Sequence, residues 1–246
     1  MAIKRNGFTL AEGATHVSML PTNVRFGFTL AEVLITLGII GVVAALTIPN
    51  LMTTHKKHEI EAKLTKAVST INQIIKQSET ENGEMETWDN SLTPVEYLNK
   101  YITPYAKVSQ LCEGQGSCGY PNVDKVYKYI NGYYGYYYNI FSFGRTPFIL
   151  QDGTMFVWGT KETSSGTKDN KSIIIIDING SEKPNQFGQD TFFLQRKEEE
   201  DAIIPYGAGK PQNELRADCQ KGGEGFYCAE LIRENGWKIP SGYPLL

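Results

Sequence analysis

The chain has 246 residues, 41% of them hydrophobic and 21% charged, with a formal net charge of -3. That length allows one or two domains, and the composition excludes a wholly disordered chain, a collagen-like repeat and a polytopic membrane protein. With 24 Lys+Arg against 27 Asp+Glu, a general nucleic-acid binder is not expected either.

One stretch departs from this average. From Phe28 to Thr54 the only charged residue is Glu32, and Val33 to Ile48 is apolar apart from Thr36, Gly38, Gly41 and Thr47. Extended through Met52, the run has about 20 mainly apolar residues, enough to cross a hydrocarbon core of roughly 30 Å as a helix. A helix buried in a soluble core would show a polar face. A cleaved secretory signal would end at a small-residue site, whereas this run passes Pro49 and turns amphipathic. Nor would such a signal carry a carboxylate five residues into its apolar segment, because a lone Glu at membrane depth is costly without a partner.

Beyond Pro49, Ile60, Leu64, Ala67, Val68, Ile71, Ile74 and Ile75 recur three and four apart, with Lys57, Glu61, Lys63, Lys66 and Asn72 among the polar positions. This spacing predicts one helix from about Phe28 to near Ser78, with a stop signal at Asn82-Gly83. At 1.5 Å per residue it would be roughly 75 Å long. Pro49 and Gly41 would permit a kink in its apolar half.

The arrangement from Arg25 to Ser78 resembles the prepilin-type signal of type IV pilins and type II secretion pseudopilins. A basic residue precedes the Gly27-Phe28 junction, Thr29-Leu30 follows, and Glu32 comes fifth after the glycine, ahead of the apolar run. The resemblance implies that a prepilin peptidase cuts between Gly27 and Phe28 and that the new amino group of Phe28 is N-methylated. It implies that Glu32 pairs with that amino group on a neighbouring subunit, so the partners are other pilin or pseudopilin subunits and an inner-membrane assembly platform. The implied location is the bacterial inner membrane, single-pass with the head outside the cytoplasm, and then a filament in the periplasm or at the cell surface. Physically, a cation from an adjacent helix offsets the cost of burying a carboxylate.

The hexapeptide Gly7 to Glu12 repeats Gly27 to Glu32, and Lys4-Arg5 gives it a better basic leader, but no apolar run follows it. It reads as a duplicated or decoy leader. Lysines after the run (Lys56, Lys57, Lys63, Lys66) balance the basic residues before it, so the orientation rests on the resemblance. Cleavage after Gly27 would remove Lys4, Arg5, Arg25 and Glu12 and leave a net charge of about -5. The expected organisation is a leader (1–27), an assembly helix (28–54), its amphipathic continuation (55–82) and a β-rich head (83–246). The fold class is α+β and pilin-like, a long N-terminal helix packed on an antiparallel sheet.

In the head, Pro94 to Leu98 predicts a short helix. Val126 to Ile130 and Tyr133 to Phe141 flank Asn131-Gly132 and predict a hairpin; Pro147 to Gln151 and Met155 to Trp158 flank Asp152-Gly153 and predict a second. Ser172 to Asp177 and Thr191 to Leu194 supply further strands. Eight of the 14 tyrosines lie between Tyr120 and Tyr138. They read as strand residues on both faces of a sheet, with an adhesive aromatic surface as the alternative.

Asp177, Asn179 and Asp190 lie in an oxygen-rich turn that could chelate Ca²⁺, the one cofactor the sequence suggests. The EF-hand pattern is not met, and a loop whose Asn and Asp satisfy their own backbone is favoured. Arg196 to Asp201 reads as a solvated charged loop. Cys112, Cys118, Cys219 and Cys228 all follow the span. Disulfides 112–118 and 219–228 are the simplest of three connectivities, and the spacings do not suit a Cys₄ zinc site. Cys228 would open a last helix stopped by Gly236.

No catalytic constellation is visible; His16, His55 and His58 form none, so the chain is not expected to be an enzyme. The function expected is a structural filament subunit. A membrane-anchored adhesin or minor-pilin module, using the Tyr-rich segment or the Asp177–Asp190 loop, is the alternative.

Overall fold

A computed structural model describes residues 27–113, 118–120, 125–134, 145–159, 173–197 and 200–243. The chain divides into two compact units, Met1–Ile48 and Pro49–Leu246. Helix α1 runs Leu30–Asn82 and includes Pro49. Its start is a capping box: Thr29 N–H donates to Glu32 Oε2 at 2.8 Å and Glu32 N–H donates to Thr29 Oγ1 at 3.2 Å. Its end is at Asn82, as the Asn82-Gly83 signal predicts.

In the second unit, six strands form one antiparallel meander in chain order. They are β1 Val108–Leu111, β2 Arg145–Leu150, β3 Met155–Gly159, β4 Ile174–Asp177, β5 Thr191–Lys197 and β6 Ala202–Pro205. Three short helices complete it: α2 Pro94–Tyr101, α3 Gln212–Asp218 and α4 Cys228–Glu234. This is the α+β, pilin-like architecture expected from the sequence. Alternation sorts each strand's side chains to two faces. Phe156, Trp158, Ile174, Ile176, Phe192 and Leu194 join the core built on the α1 stripe Ile60, Leu64, Ala67, Ile71 and Ile75. Met155, Val157, Ile175 and Phe193 face a second core with Tyr120, Tyr127, Tyr129 and Phe187.

Because both faces are covered, β4 is buried at all four positions and reads as an unbroken apolar run. Helix α2 begins with a second capping box, Thr93 and Glu96, and Pro94 in its first turn. The Asp152-Gly153 hairpin forms, with Phe148 opposite Phe156.

Two expectations are corrected. The Asn131-Gly132 turn is present, with Gly132 at φ 86° and its N–H bonded to Tyr129 O at 2.9 Å. However, among the described residues Val126 to Ile130 is not a strand of the six-stranded sheet: Lys128 makes isolated bridges, an antiparallel one across the turn to Tyr134 and a parallel one to Gln186. The segment lies across the back of the meander, where Tyr127 and Tyr129 pack on Phe187. Residues 135–141 of the second expected strand lie outside the described residues.

The run from Arg196 is the other correction. Arg196 and Lys197 belong to β5, and the Arg196 side chain is buried, 2% exposed. It bonds Glu86 at 3.0 Å and Asp201 at 2.5 Å, with Glu79 at 3.5 Å. Three carboxylates draw it out of solvent, because a buried guanidinium needs paired acceptors. Strands β1 and β6 and helix α3 were not expected.

Candidate functional site

The first candidate site is the N-terminal segment of α1. Gly27 and Phe28 precede the helix, and Phe28 is exposed. From Leu30 to Met52 the large apolar side chains are exposed, including Leu34, Ile39, Ile40, Val42, Leu46 and Leu51. Patches of this size on a folded chain mark a membrane or partner surface. Among the described residues, α1 is the one helix long and apolar enough to cross a membrane. Its hydroxyls turn inward: Thr36, Thr47, Thr53 and Thr54 donate to carbonyls three or four residues back. That satisfies each of these hydroxyls within the helix, as hydrocarbon surroundings demand. Glu32 is the exception, holding the carboxylate beside the first turn, where Thr29 Oγ1 also donates to its Oε2 at 2.8 Å.

The second candidate site is the turn between β4 and β5, which brings Asp177, Asn179 and Asp190 together. Asp177 is buried and accepts from Tyr120 O–H at 2.9 Å and from Asn179 N–H at 3.2 Å. Asp190 accepts from Asn185 N–H at 2.8 Å and Gln186 N–H at 2.7 Å. Burial pushes the Asp177 carboxyl well above the usual range, and the like charge of Asp190 adds to it. Burial also raises Asp190, against the pull of its N–H donors.

Calcium requires six to eight oxygens turned toward one point. Here protein N–H and O–H donors already engage oxygens of both carboxylates, which a calcium ion would have to share or displace. Among the described residues no group of three or more His, Cys, Asp or Glu could hold a metal.

Cys112 is joined to Cys118 and Cys219 to Cys228, with Cα–Cα distances of 5.5 and 5.2 Å. Gly188 lies against the second bridge at φ 78°; a Cβ there would come within 2.6 Å of Cys228 Sγ. Of the clustered tyrosines, Tyr120, Tyr127 and Tyr129 are buried, while Tyr133 and Tyr134 are exposed.

Two polar residues of α1 were not singled out from the sequence. Asn72 donates to Ile203 O at 2.7 Å and accepts from Ile203 N–H at 2.8 Å, pairing with β6 as a neighbouring strand would. Glu61 is buried and accepts from Lys238 at 2.9 Å and from Ile239 N–H at 2.9 Å. A polar residue on the apolar edge of a helical stripe was the available signal for both.

The prokaryotic N-terminal methylation motif matches residues 22–48. A family of unknown function (DUF6613) matches residues 50–246, most of the chain. The chain belongs to that family. The amino-terminal segment of this DUF6613 chain is of the type IV pilin and pseudopilin class, which is structural and assigns no catalytic residue. The two matches meet close to Pro49, the residue that opens the second compact unit. No curated protein and no solved structure matches the DUF6613 chain.

Proposed function

We propose that this chain is a filament subunit, a pilin or pseudopilin, that works by polymerising through its N-terminal helix. The observation that carries the reading is the exposed apolar surface of α1 from Leu30 to Met52, most of it within the methylation motif at residues 22–48. Prepilin peptidase cuts between Gly27 and Phe28, and Phe28 is N-methylated. The subunit waits in the inner membrane, single-pass with its head outside the cytoplasm, until the assembly platform passes it to the filament. There the apolar faces of neighbouring helices cover one another, and Glu32 meets the new amino group of an adjacent copy. Two disulfides fit a head held in an oxidising compartment.

N-terminal sequencing and intact mass of membrane extracts test the reading. The expected form begins at Phe28 and is one methyl group heavier than the cut chain, and substitution of Gly27 leaves the precursor uncut. A chain beginning at Met1, or at residue 53, sinks it. The adhesin alternative draws little support, since three of the five described tyrosines between Tyr120 and Tyr134 are buried, as are Asp177 and Asp190.

A further inference from the structure

We propose that the groove beside Lys56, Lys63 and Lys183 binds the headgroup of an anionic phospholipid that carries hydroxyl donors, holding the subunit at the membrane before assembly. The proposal rests on the anchored subunit described above. The groove has a volume of about 800 Å³, and its lining includes Leu51 and Met52, the last residues of the apolar run. About 20 residues of helix use up the hydrocarbon thickness, so the groove begins where acyl chains give way to headgroups.

The rest of the lining is polar. From α1 it carries His55, Lys56, Glu59 and Lys63, and from the β4–β5 turn Glu182 and Lys183. Lys63 is paired with Glu59 at 2.8 Å. Lys56 and Lys183 have no ion pair among the described residues. Three ammonium groups against two carboxylates leave one positive charge, the complement of one phosphodiester. Lysine at such a boundary lays its aliphatic stem along apolar surface and turns its charge to the polar side.

Asn179 selects further. It lines the groove, and its Oδ1 is buried with no hydrogen-bond donor. An acceptor left unpaired out of water is costly, and a small turn of the Asn179 side chain toward the groove would let a glycerol hydroxyl of the headgroup supply the donor it lacks. A choline headgroup has neither the net charge nor a donor. The predicted preference is therefore phosphatidylglycerol over phosphatidylcholine.

The test is native mass spectrometry of the full chain released from detergent with equimolar phosphatidylglycerol and phosphatidylcholine. The wild type is expected to retain phosphatidylglycerol in excess, with each lysine contributing roughly fivefold. The Lys56→Gln/Lys183→Gln variant should bring the ratio close to one, while Lys125→Gln/Lys221→Gln, an equal change of charge elsewhere, should leave it unaltered. The charge-state distribution reports whether each variant is folded.

No preference in the wild type overturns the proposal, as does a preference that survives in the first variant or disappears equally in the second. Displacement of the lipid by millimolar glycerol phosphate would assign the groove to a free phosphoester and overturn the lipid assignment. Alkaline extraction of membranes separates the two readings. A chain that washes off refutes the anchor and this proposal with it, whereas a retained chain without lipid preference refutes this proposal alone.

Discussion

Two side chains on α1 do at single positions what a strand or a loop would otherwise do. The outer edge of β6 exposes backbone groups that invite unwanted pairing. The Asn72 amide closes that edge at Ile203 with one donor and one acceptor. Asn72→Ala leaves an N–H and a C=O half-buried and unpaired, and should cost about 2 kcal/mol of unfolding free energy. Asn72→Asp should not rescue it, because it lacks the N–H donor. Denaturant unfolding of the detergent-solubilised chain measures both.

Glu61 acts on the C-terminal segment. It holds Lys238 and Ile239 directly after Trp237, whose φ of 60° is a strained conformation for a bulky residue. Burial alone would raise the Glu61 carboxyl, but the Ile239 N–H, the Lys238 ammonium and the His58 ring outweigh it and hold it below the usual carboxylate range. A depressed folded pKa means stability that is complete above the unfolded value and lost as pH falls through the folded one. The wild type should therefore lose Tm as pH drops below about 4. Glu61→Gln should begin about 2 kcal/mol lower at pH 7 and show a shallower acid limb. Parallel acid limbs in the two proteins would remove Glu61 from this role.

At the level of elements, what could be read from the sequence was local. Helix α1 announces itself by period and by Asn82-Gly83, and the β2–β3 hairpin by Asp152-Gly153 between β-rich runs. Glu32 and the Gly27-Phe28 junction are legible as part of the motif matched at residues 22–48, because its pattern is a spacing within six residues. Arg196 was not legible: its neighbours Lys197 to Glu200 are charged, and only the fold brings Glu79 and Glu86 to it. Tyr127 and Tyr129 have strand chemistry, but the positions beside β2 were taken by β1 and β3, which left them to cover a face. Asn72 and Glu61 act on partners 131 and 178 residues away, which no local pattern encodes.

The β4–β5 turn raises the same question of what a loop's oxygens are for. Its carboxylates already accept protein donors, so added calcium should shift Tm by less than about 1 °C relative to EDTA. Removing a cap instead should be felt. Asp190→Ala strips acceptors from Asn185 and Gln186 N–H and should cost about 1–3 kcal/mol. A calcium-dependent rise of several degrees, lost in Asp190→Ala, would show that the turn rearranges into a cation site.

For the whole molecule, the decisive group under the proposed filament reading is Glu32, because that reading gives it two partners at different stages. In the single chain it caps its own helix through Oε2, which accepts from both Thr29 N–H and Thr29 Oγ1. The other carboxylate oxygen is then left to meet a cation, and cleavage after Gly27 would create an amino group on each neighbouring copy. Glu32→Gln separates the two roles. An amide oxygen can still accept from Thr29, so the cap and membrane insertion should persist, but the charge is gone. Burying an amino group without its counter-ion costs about 3–5 kcal/mol, so filaments in sheared fractions should fall by far more than tenfold while processed subunit accumulates in the membrane. Glu32→Ala should lose the filaments as well and, in addition, about 1 kcal/mol of helix stability through the missing cap. If Glu32→Gln assembled as the wild type does, the carboxylate would be a helix cap alone, and lateral packing of the exposed apolar face would have to drive polymerisation without a charge pair.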